Sequence, residues 1–360
     1  MSNDYKSRSN AGRVVKKTAP FYVGVRGTRE FMKVRFCNAL RVALVPSLLF
    51  AIAMIATGQS LMAQRRTGAP MPPQHYASMS DDEQQIVINT DLITLTVSVT
   101  DADGISVSGL DKRTFTVFDD KVPQEISFFS DEDAPASVGI VFDVSNSMSG
   151  DKIMRARDAL SHFIQTSHER DEFSLIAFNS RARLLLDKTR DGDAVFNKLT
   201  YVQPHGDTAL YDATYLGVEK VTRGSHTKRA IILISDGEDN NSRYTYNELR
   251  RRLQESEVVI YAIGIGMNYL PRATGEETLR NLASVSGGKA FFPDDASAIN
   301  EAFERIALEL RHQYSVGYRP LNFAADGKWH RIKVKVQPPH GVPRLFVRSR
   351  EGYYAVANVR

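Results

Sequence analysis

The segment Gly139-Ile140-Val141-Phe142-Asp143-Val144-Ser145-Asn146-Ser147-Met148-Ser149-Gly150 decides how the rest of this chain is read. An apolar run from Val138 to Phe142 stops on Asp143, and Ser145 and Ser147 follow at alternate positions. A strand buried on both faces reads as such a run, about four to eight apolar residues with turn signals after it. One carboxylate and two hydroxyls at the end of a central strand must be neutralised or used. A hard cation is the simplest user, because it takes oxygen ligands and needs neither thiolate nor imidazole. Ser and Asp in this position also read as helix N-caps, and the segment alone leaves both readings open.

Around it, residues 136–312 alternate apolar strands with helical patterns. Strands are expected over 137–143, 172–178, 182–187, 228–235, 257–265 and 289–292. Helices are expected over 151–168, 192–199, 208–222, 244–255, 275–285 and 296–312. The alternation predicts an α/β domain with a doubly wound, mainly parallel, Rossmann-like sheet and helices on both faces. Ile153, Ala156, Leu160, Phe163 and Ile164 share one helix face, and Ile299, Phe303, Ile306 and Leu310 share another. Two further places match the opening segment. Thr208 stands in a loop, His205-Gly206-Asp207-Thr208, before a helix, and the apolar run Ala230-Ile231-Ile232-Leu233-Ile234 leads to Asp236. In an open α/β sheet, ligands sit outside the carboxyl ends of strands where the strand order reverses. Asp143 and Asp236 meet there if their two strands are central neighbours.

The flanks alternate with a period of two. Ile93, Leu95, Val97 and Val99 interleave with Leu92, Thr94 and Thr96, an Asp103-Gly104 pair marks a hairpin, and short strands follow at 114–118 and 125–129 around Asp119-Asp120-Lys121. Beyond Gln313 come Tyr314, Val316 and Tyr318, an Asp326-Gly327 turn, then Ile332, Val334 and Val336 among Arg331, Lys333 and Lys335, and a last strand over 345–348. Neither set is large enough to form a domain alone. Residues 86–135 and 313–360 are therefore expected to pair into one small β-sandwich that flanks the α/β domain, with that domain inserted in it.

The chain has 360 residues, with 42% hydrophobic and 24% charged, ordinary for a globular protein. Its formal charge of +4 is misleading. Residues 1–41 hold 10 Lys/Arg against 2 Asp/Glu, and the remainder holds 36 against 40. The basicity belongs to the N-terminal tail, and no nucleic-acid partner is expected. Residues 42–56 are apolar apart from Pro46 and Ser47, which suits the h-region of a signal peptide, and a cleavage site falls after Ala63. Starting at Met32 rather than Met1 restores a short cationic region before it. Residues 1–63 thus read as a basic tail with a signal peptide, and residues 64–85, rich in Pro, Ser, Met and Gln, as a linker. The expectation is an exported protein, periplasmic or secreted. The alternative is an uncleaved anchor in the inner membrane through residues 42–56, the only membrane contact expected. The single cysteine, Cys37, precedes the h-region, so the exported part is expected to have no disulfides.

Residues 136–312 resemble a von Willebrand factor type A (VWA) domain, and Asp143, Ser145, Ser147, Thr208 and Asp236 resemble its metal-ion-dependent adhesion site. The glycine usual between the two serines is Asn146 here. With its flanks, the chain is similar to an exported bacterial group of such proteins first seen in acidobacteria. The resemblance implies a Mg²⁺ site, with Mn²⁺ or Ca²⁺ as alternatives, in which the serines bind directly and Thr208 and the aspartates bind directly or through water. Two carboxylates roughly neutralise a divalent ion without saturating it. An open position would then favour the Asp or Glu of a protein partner and permit a ligand-controlled switch of the last helix.

Enzyme classes find less support. The sequence has no G-x-S-x-G elbow, Walker loop, H-E-x-x-H or cysteine cluster. An aspartyl-phosphate phosphohydrolase needs a second carboxylate two residues after the first, where this chain has Ser145. Asp236 does not open an EF-hand, because Asn241 and Asn247 occupy the glycine and acid positions. Glu238, Asp239 and Asn240 read as a solvated rim. The expected function is metal-dependent binding of a protein ligand without catalysis. The alternatives are a structural envelope module whose ion only stabilises the fold, or a metal-dependent hydrolase.

Overall fold

The computed structural model describes residues 92–266, 273–321, 323, 325–338 and 344–355. The basic tail, residues 42–56, the cleavage site after Ala63, the linker and the expected strand start at 86–91 lie outside the described residues. Among the described residues, no helix is long and apolar enough to cross a membrane.

The chain runs β1 (Ile93–Thr100), β2 (Phe115–Asp119), β3 (Val122–Gln124), β4 (Ile126–Ser130), β5 (Ala136–Asp143), α1 (Asp151–Thr166), β6 (Glu172–Phe178), β7 (Ala182–Thr189), α2 (Gly192–Thr200) and α3 (Leu210–Thr222). It continues through β8 (Lys228–Ser235), α4 (Tyr246–Gln254), β9 (Val259–Gly264), α5 (Ala273–Ser286), β10 (Lys289–Phe291), α6 (Ala296–Arg311), β11 (Tyr314–Tyr318), β12 (Trp329–Val336), β13 (Phe346–Arg348) and β14 (Gly352–Tyr354).

Six strands form the central sheet in the order β10-β9-β8-β5-β6-β7. Every neighbouring pair is parallel except β6 and β7. β5, β6 and β7 proceed in one direction, and the chain then returns across β5 to lay down β8, β9 and β10 on its other side. The order therefore reverses between β5 and β8, whose carboxyl ends carry Asp143 and lead into Asp236. That is where a doubly wound sheet opens a crevice.

Every residue of β5 is buried, as a strand covered on both faces requires. Val138, Ile140 and Phe142 pack with α1, α2 and α6, and the Phe163 and Phe303 rings lie 5.8 Å apart between α1 and α6. On the other face, Val141, Ile231 and Leu233 pack with α3, α4 and α5. There α3 lies close against the sheet because two residues lack side chains. A Cβ on Gly139 would come 2.8 Å from Val221 Cγ1, and one on Gly217 would come 2.8 Å from Val141 Cγ2. Thr208 lies two residues before α3, so this approach also sets its height above the sheet.

The flanking strands form two antiparallel sheets, ordered β13-β1-β11-β4 and β14-β12-β2-β3. Each sheet mixes strands from before and after the α/β domain, which is inserted between β4 and β11. Those two strands pair, bringing the entry and exit of the insertion side by side. Leu95, Val97, Phe115, Val117, Tyr314, Val316, Ile332 and Val334 fill the sandwich core. Two details depart from the sequence expectation. Asp119-Asp120-Lys121 does not simply separate two strands: Asp120 and Lys121 adopt φ of 45° and 71° and close a two-residue hairpin between β2 and β3, after which the chain crosses to the other sheet as β4. β14, three residues long, pairs with β12 although its run is too short to show a period.

Candidate metal centre

Asp143 ends β5 and is fully buried. Its Oδ1 accepts the Ser145 N–H at 2.8 Å, and its Oδ2 accepts the Ser235 hydroxyl at 2.6 Å. Burial pushes its carboxyl up to about 6, with the charge of Asp236 adding to the rise and the Ser145 and Ser235 hydrogen bonds opposing it. The chain then turns through one 3₁₀ turn, Asn146–Met148, anchored by the buried Met148. Ser145 heads this turn, yet its side chain makes no capping bond. Its Oγ instead lies 3.0 Å from Ser147 Oγ. The N-cap reading of the segment does not hold: Ser145 makes no capping bond and α1 starts from Gly150. Lys152 Nζ holds the turn from α1 by donating to the Ser147 carbonyl at 3.0 Å.

The loop carrying Thr208 is laced to this turn. His205 N–H donates to the Val144 carbonyl at 2.9 Å, and Asn146 N–H donates to the Gly206 carbonyl at 3.1 Å. The His205 ring is not a ligand here. It spans Asn179 Nδ2 at 2.9 Å and the Gln203 carbonyl at 2.8 Å and so fixes the loop. Thr208 is buried, and its N–H donates to Asn240 Oδ1 at 2.8 Å while its carbonyl accepts from the N–H groups of Asn240 and Asn241. Backbone bonds on both sides fix where its hydroxyl stands.

Asp236 follows β8 and is only 4% exposed, yet neither carboxylate oxygen has a hydrogen-bond partner. Gly237 turns the chain away at φ 81°, and its N–H donates to Ser235 Oγ at 3.0 Å. Ser235 thus links the two acidic corners, accepting from Gly237 and donating to Asp143. The structure brings Asp143, Ser145, Ser147, Thr208 and Asp236 to one crevice at the carboxyl ends of β5 and β8. Sequence reasoning overlooked Ser235 and the role of Asn240. It also took Asp239 for solvated rim, whereas Asp239 Oδ1 accepts the Tyr211 N–H at 3.2 Å and the Ser242 hydroxyl at 2.5 Å, tying the loop to the start of α3. An Asp four residues before an Asn, after a buried strand, was the only available signal.

A divalent cation fits these residues. Buried carboxylate oxygens without hydrogen bonds cost several kcal/mol unless something compensates them. Asp236 supplies two such atoms beside the serine hydroxyls, and the five side chains offer only oxygen. Carboxylates and hydroxyls suit Mg²⁺, Mn²⁺ or Ca²⁺.

An inserted α/β domain with oxygen-bearing side chains gathered at its switch point defines the class. Residues 137–305 match the family model for the von Willebrand factor type A domain, and the chain carries a VWA domain there. Among characterised and uncharacterised relatives, it is 23% identical over 182 residues to an uncharacterised protein of Synechocystis, covering 49% of this chain and 42% of that one. It is 26% identical over 272 residues to inter-alpha-trypsin inhibitor heavy chain 4 of Mus musculus, covering 69% of this chain and 27% of the relative. The chain thus spans less than half the length of either relative. Among solved structures it is similar to proximal thread matrix protein 1 of the mussel byssus, determined with a zinc-occupied MIDAS motif. The two share 20% identity and a TM-score of 0.44, over 53% of this chain and 49% of that chain.

Proposed function

We propose that this chain is an exported binding protein whose VWA domain holds a divalent cation, Mg²⁺ with Mn²⁺ or Ca²⁺ as alternatives, and uses it to accept an Asp or Glu side chain of a protein partner. The observation that carries this reading is Asp236, buried with both oxygens unpaired beside Ser145, Ser147, Thr208 and Asp143. Ser145, Ser147, Thr208, Asp143 and Asp236 would hold the ion. When bound, it supplies an electrophilic position that two carboxylates leave open to an outside carboxylate.

The chain's own residues prepare that position. Ser235 and the Ser145 N–H occupy both oxygens of Asp143, so the carboxylate is oriented before an ion arrives. Lys152, His205 and Asn240 hold the three loops at fixed heights. The exposed residues around the crevice, Asn146, Asp207, Glu238 and Asn241 among them, are placed to read the partner's surface. Binding rather than turnover is proposed because the crevice offers no second carboxylate two residues after Asp143. Export is proposed on the cationic and then apolar order of residues 32–63.

The test is affinity capture from an envelope extract in Mg²⁺ and in EDTA, followed by purified binding of the captured protein and of its Asp/Glu→Asn/Gln variants. Asp143→Ala and Thr208→Ala abolish capture while the fold persists, and one acidic residue of the partner is indispensable. Capture unchanged by EDTA and by both variants overturns the reading. Chelation that lowers the melting temperature and leaves capture intact would instead assign the ion a purely structural role.

A further inference from the structure

A second cluster of ligating side chains lies in the β-sandwich, on elements remote in sequence. Asp119 ends β2, Asp120 begins the β2–β3 turn, and His330 is the second residue of β12. One ligand atom from each lies within 4.8 Å of the other two. His330 Nδ1 stands 3.0 Å from Asp120 Oδ2 and 3.9 Å from Asp119 Oδ1.

Each carboxylate has one oxygen tied down; the other is unpartnered in Asp119 and lies 3.0 Å from His330 Nδ1 in Asp120. Asp119 Oδ2 accepts the hydroxyls of Tyr318, from the opposite sheet, and Tyr353, each at 3.0 Å. Asp120 Oδ1 accepts the Arg331 N–H at 2.9 Å. The remaining oxygens, Asp119 Oδ1 and Asp120 Oδ2, turn toward His330. Asp119 is only 6% exposed, and its Oδ1 has no hydrogen-bond partner. A buried orphan carboxylate oxygen facing an imidazole nitrogen and a second carboxylate lacks only a cation.

The far side of the ring agrees. His330 Nε2 is buried without a hydrogen bond, and Asp326 Oδ1 lies 3.7 Å from it. A metal-ligating histidine presents its other N–H to a carboxylate, which fixes the tautomer and aims the lone pair at the metal. Asp326 is the carboxylate on that side of the ring, beyond hydrogen-bond reach at 3.7 Å, and is itself held by the Lys328 N–H at 2.9 Å and Lys328 Nζ at 3.2 Å.

We propose that Asp119, Asp120 and His330 bind a divalent transition-metal ion of the zinc class, so that the ion fastens the β2–β3 turn to β12. Mixed imidazole and carboxylate ligands select this class over Mg²⁺ or Ca²⁺, which prefer oxygen alone. The site is independent of the VWA crevice: none of its residues belongs to that domain.

The test titrates Zn²⁺ alone into metal-stripped full-length protein carrying Asp143→Ala, which disables the first site. That protein retains about one equivalent of zinc, and its X-ray absorption shows outer-shell imidazole scattering, since one histidine ligates. Adding His330→Gln removes both the zinc and the imidazole signal. Asp120→Asn, which keeps an oxygen for the Arg331 N–H, weakens binding at least tenfold and decides the matter should the histidine variant fail to fold. Zinc retained in both variants, or no zinc bound in the Asp143→Ala parent, overturns the proposal. The second outcome would leave the cluster a direct His330–Asp120 contact with no ion.

Discussion

Asp236→Asn should invert the stability order of the protein between metal-free and metal-replete solution. In EDTA the wild type buries a carboxylate whose two oxygens have no partner, beside the second buried carboxylate of Asp143. Removing that charge relieves an unsatisfied buried group worth about 1–3 kcal/mol, more when charged, although the new amide carries some of the same cost. A net gain of about 1–2 kcal/mol remains, or roughly 2–8 °C in melting temperature for a domain of this size. In Mg²⁺ the balance changes, because the wild type gains about 2.7 kcal/mol at a hundredfold excess over its dissociation constant. The variant, having lost a ligand, gains little. It should therefore melt above the wild type in EDTA and below it in saturating Mg²⁺, as followed by circular dichroism on the same preparations. A variant that melts lower in EDTA would show that Asp236 has a stabilising partner and that the crevice is not built around a missing cation. Equal response of both proteins to Mg²⁺ would remove Asp236 from the ligand set.

Three further outcomes follow from the same geometry. In metal-free protein Asp143 holds its proton up to about 6 when folded but only to 3.8 when unfolded, so the native state binds more protons between those values and stability falls as pH rises through them. The loss is about 3 kcal/mol and is complete above the folded value; urea midpoints that rise over this interval, or that slope no less in Asp143→Asn, contradict it. Gly237→Ala places a Cβ 2.3 Å from the Gly275 carbonyl oxygen at a φ of 81°, so it should cost at least about 2 kcal/mol and shift Asp236, weakening the Mg²⁺-induced rise in melting temperature. Arg348→Ala strands Glu309, which is 5% exposed and otherwise held by the Tyr261 hydroxyl at 2.8 Å, and should cost about 3–5 kcal/mol, whereas Arg348→Met with Glu309→Leu restores most of it; similar urea midpoints for the single and double variants would refute the buried pair.

The α/β domain was legible because its signals are local. Runs such as 138–142 and 230–234 are apolar throughout only because both sheet faces are covered, and each leads directly or within two residues to an Asp, Asp143 and Asp236. The placement of the candidate site residues was legible for the same reason: Asp143, Ser145 and Ser147 stand at one strand end and the turn after it, Thr208 stands just before a recognisable helix, and Asp236 just after a recognisable strand. What escaped depends on pairing across long separations. Nothing near Ser235 announces that its hydroxyl bridges Asp143 and Gly237. Asp119 looks like any turn acid, because Tyr318, His330 and Tyr353, which define its surroundings, lie about two hundred residues further on. β14 escaped because a three-residue strand carries no period, and its place follows from β12 being there to pair with it.

The insertion also separates the crevice from the sandwich that carries it. The chain enters the α/β domain at Ala136 and leaves after α6, and both points join adjacent strands, β4 and β11, of the sandwich. β5 then carries the chain from that attachment to Asp143, seven rises or about 23 Å away. The attachment and the crevice therefore occupy opposite ends of the sheet. Loops 202–207 and 238–245 can change around the crevice without disturbing the β4–β11 pairing, and the Glu309–Arg348 pair fixes the last helix to β13 at the attached end. On the proposed binding role, substitutions in these loops should alter capture of the partner while leaving the melting temperature in place, and a loop change that shifts both would mean the two ends are mechanically joined.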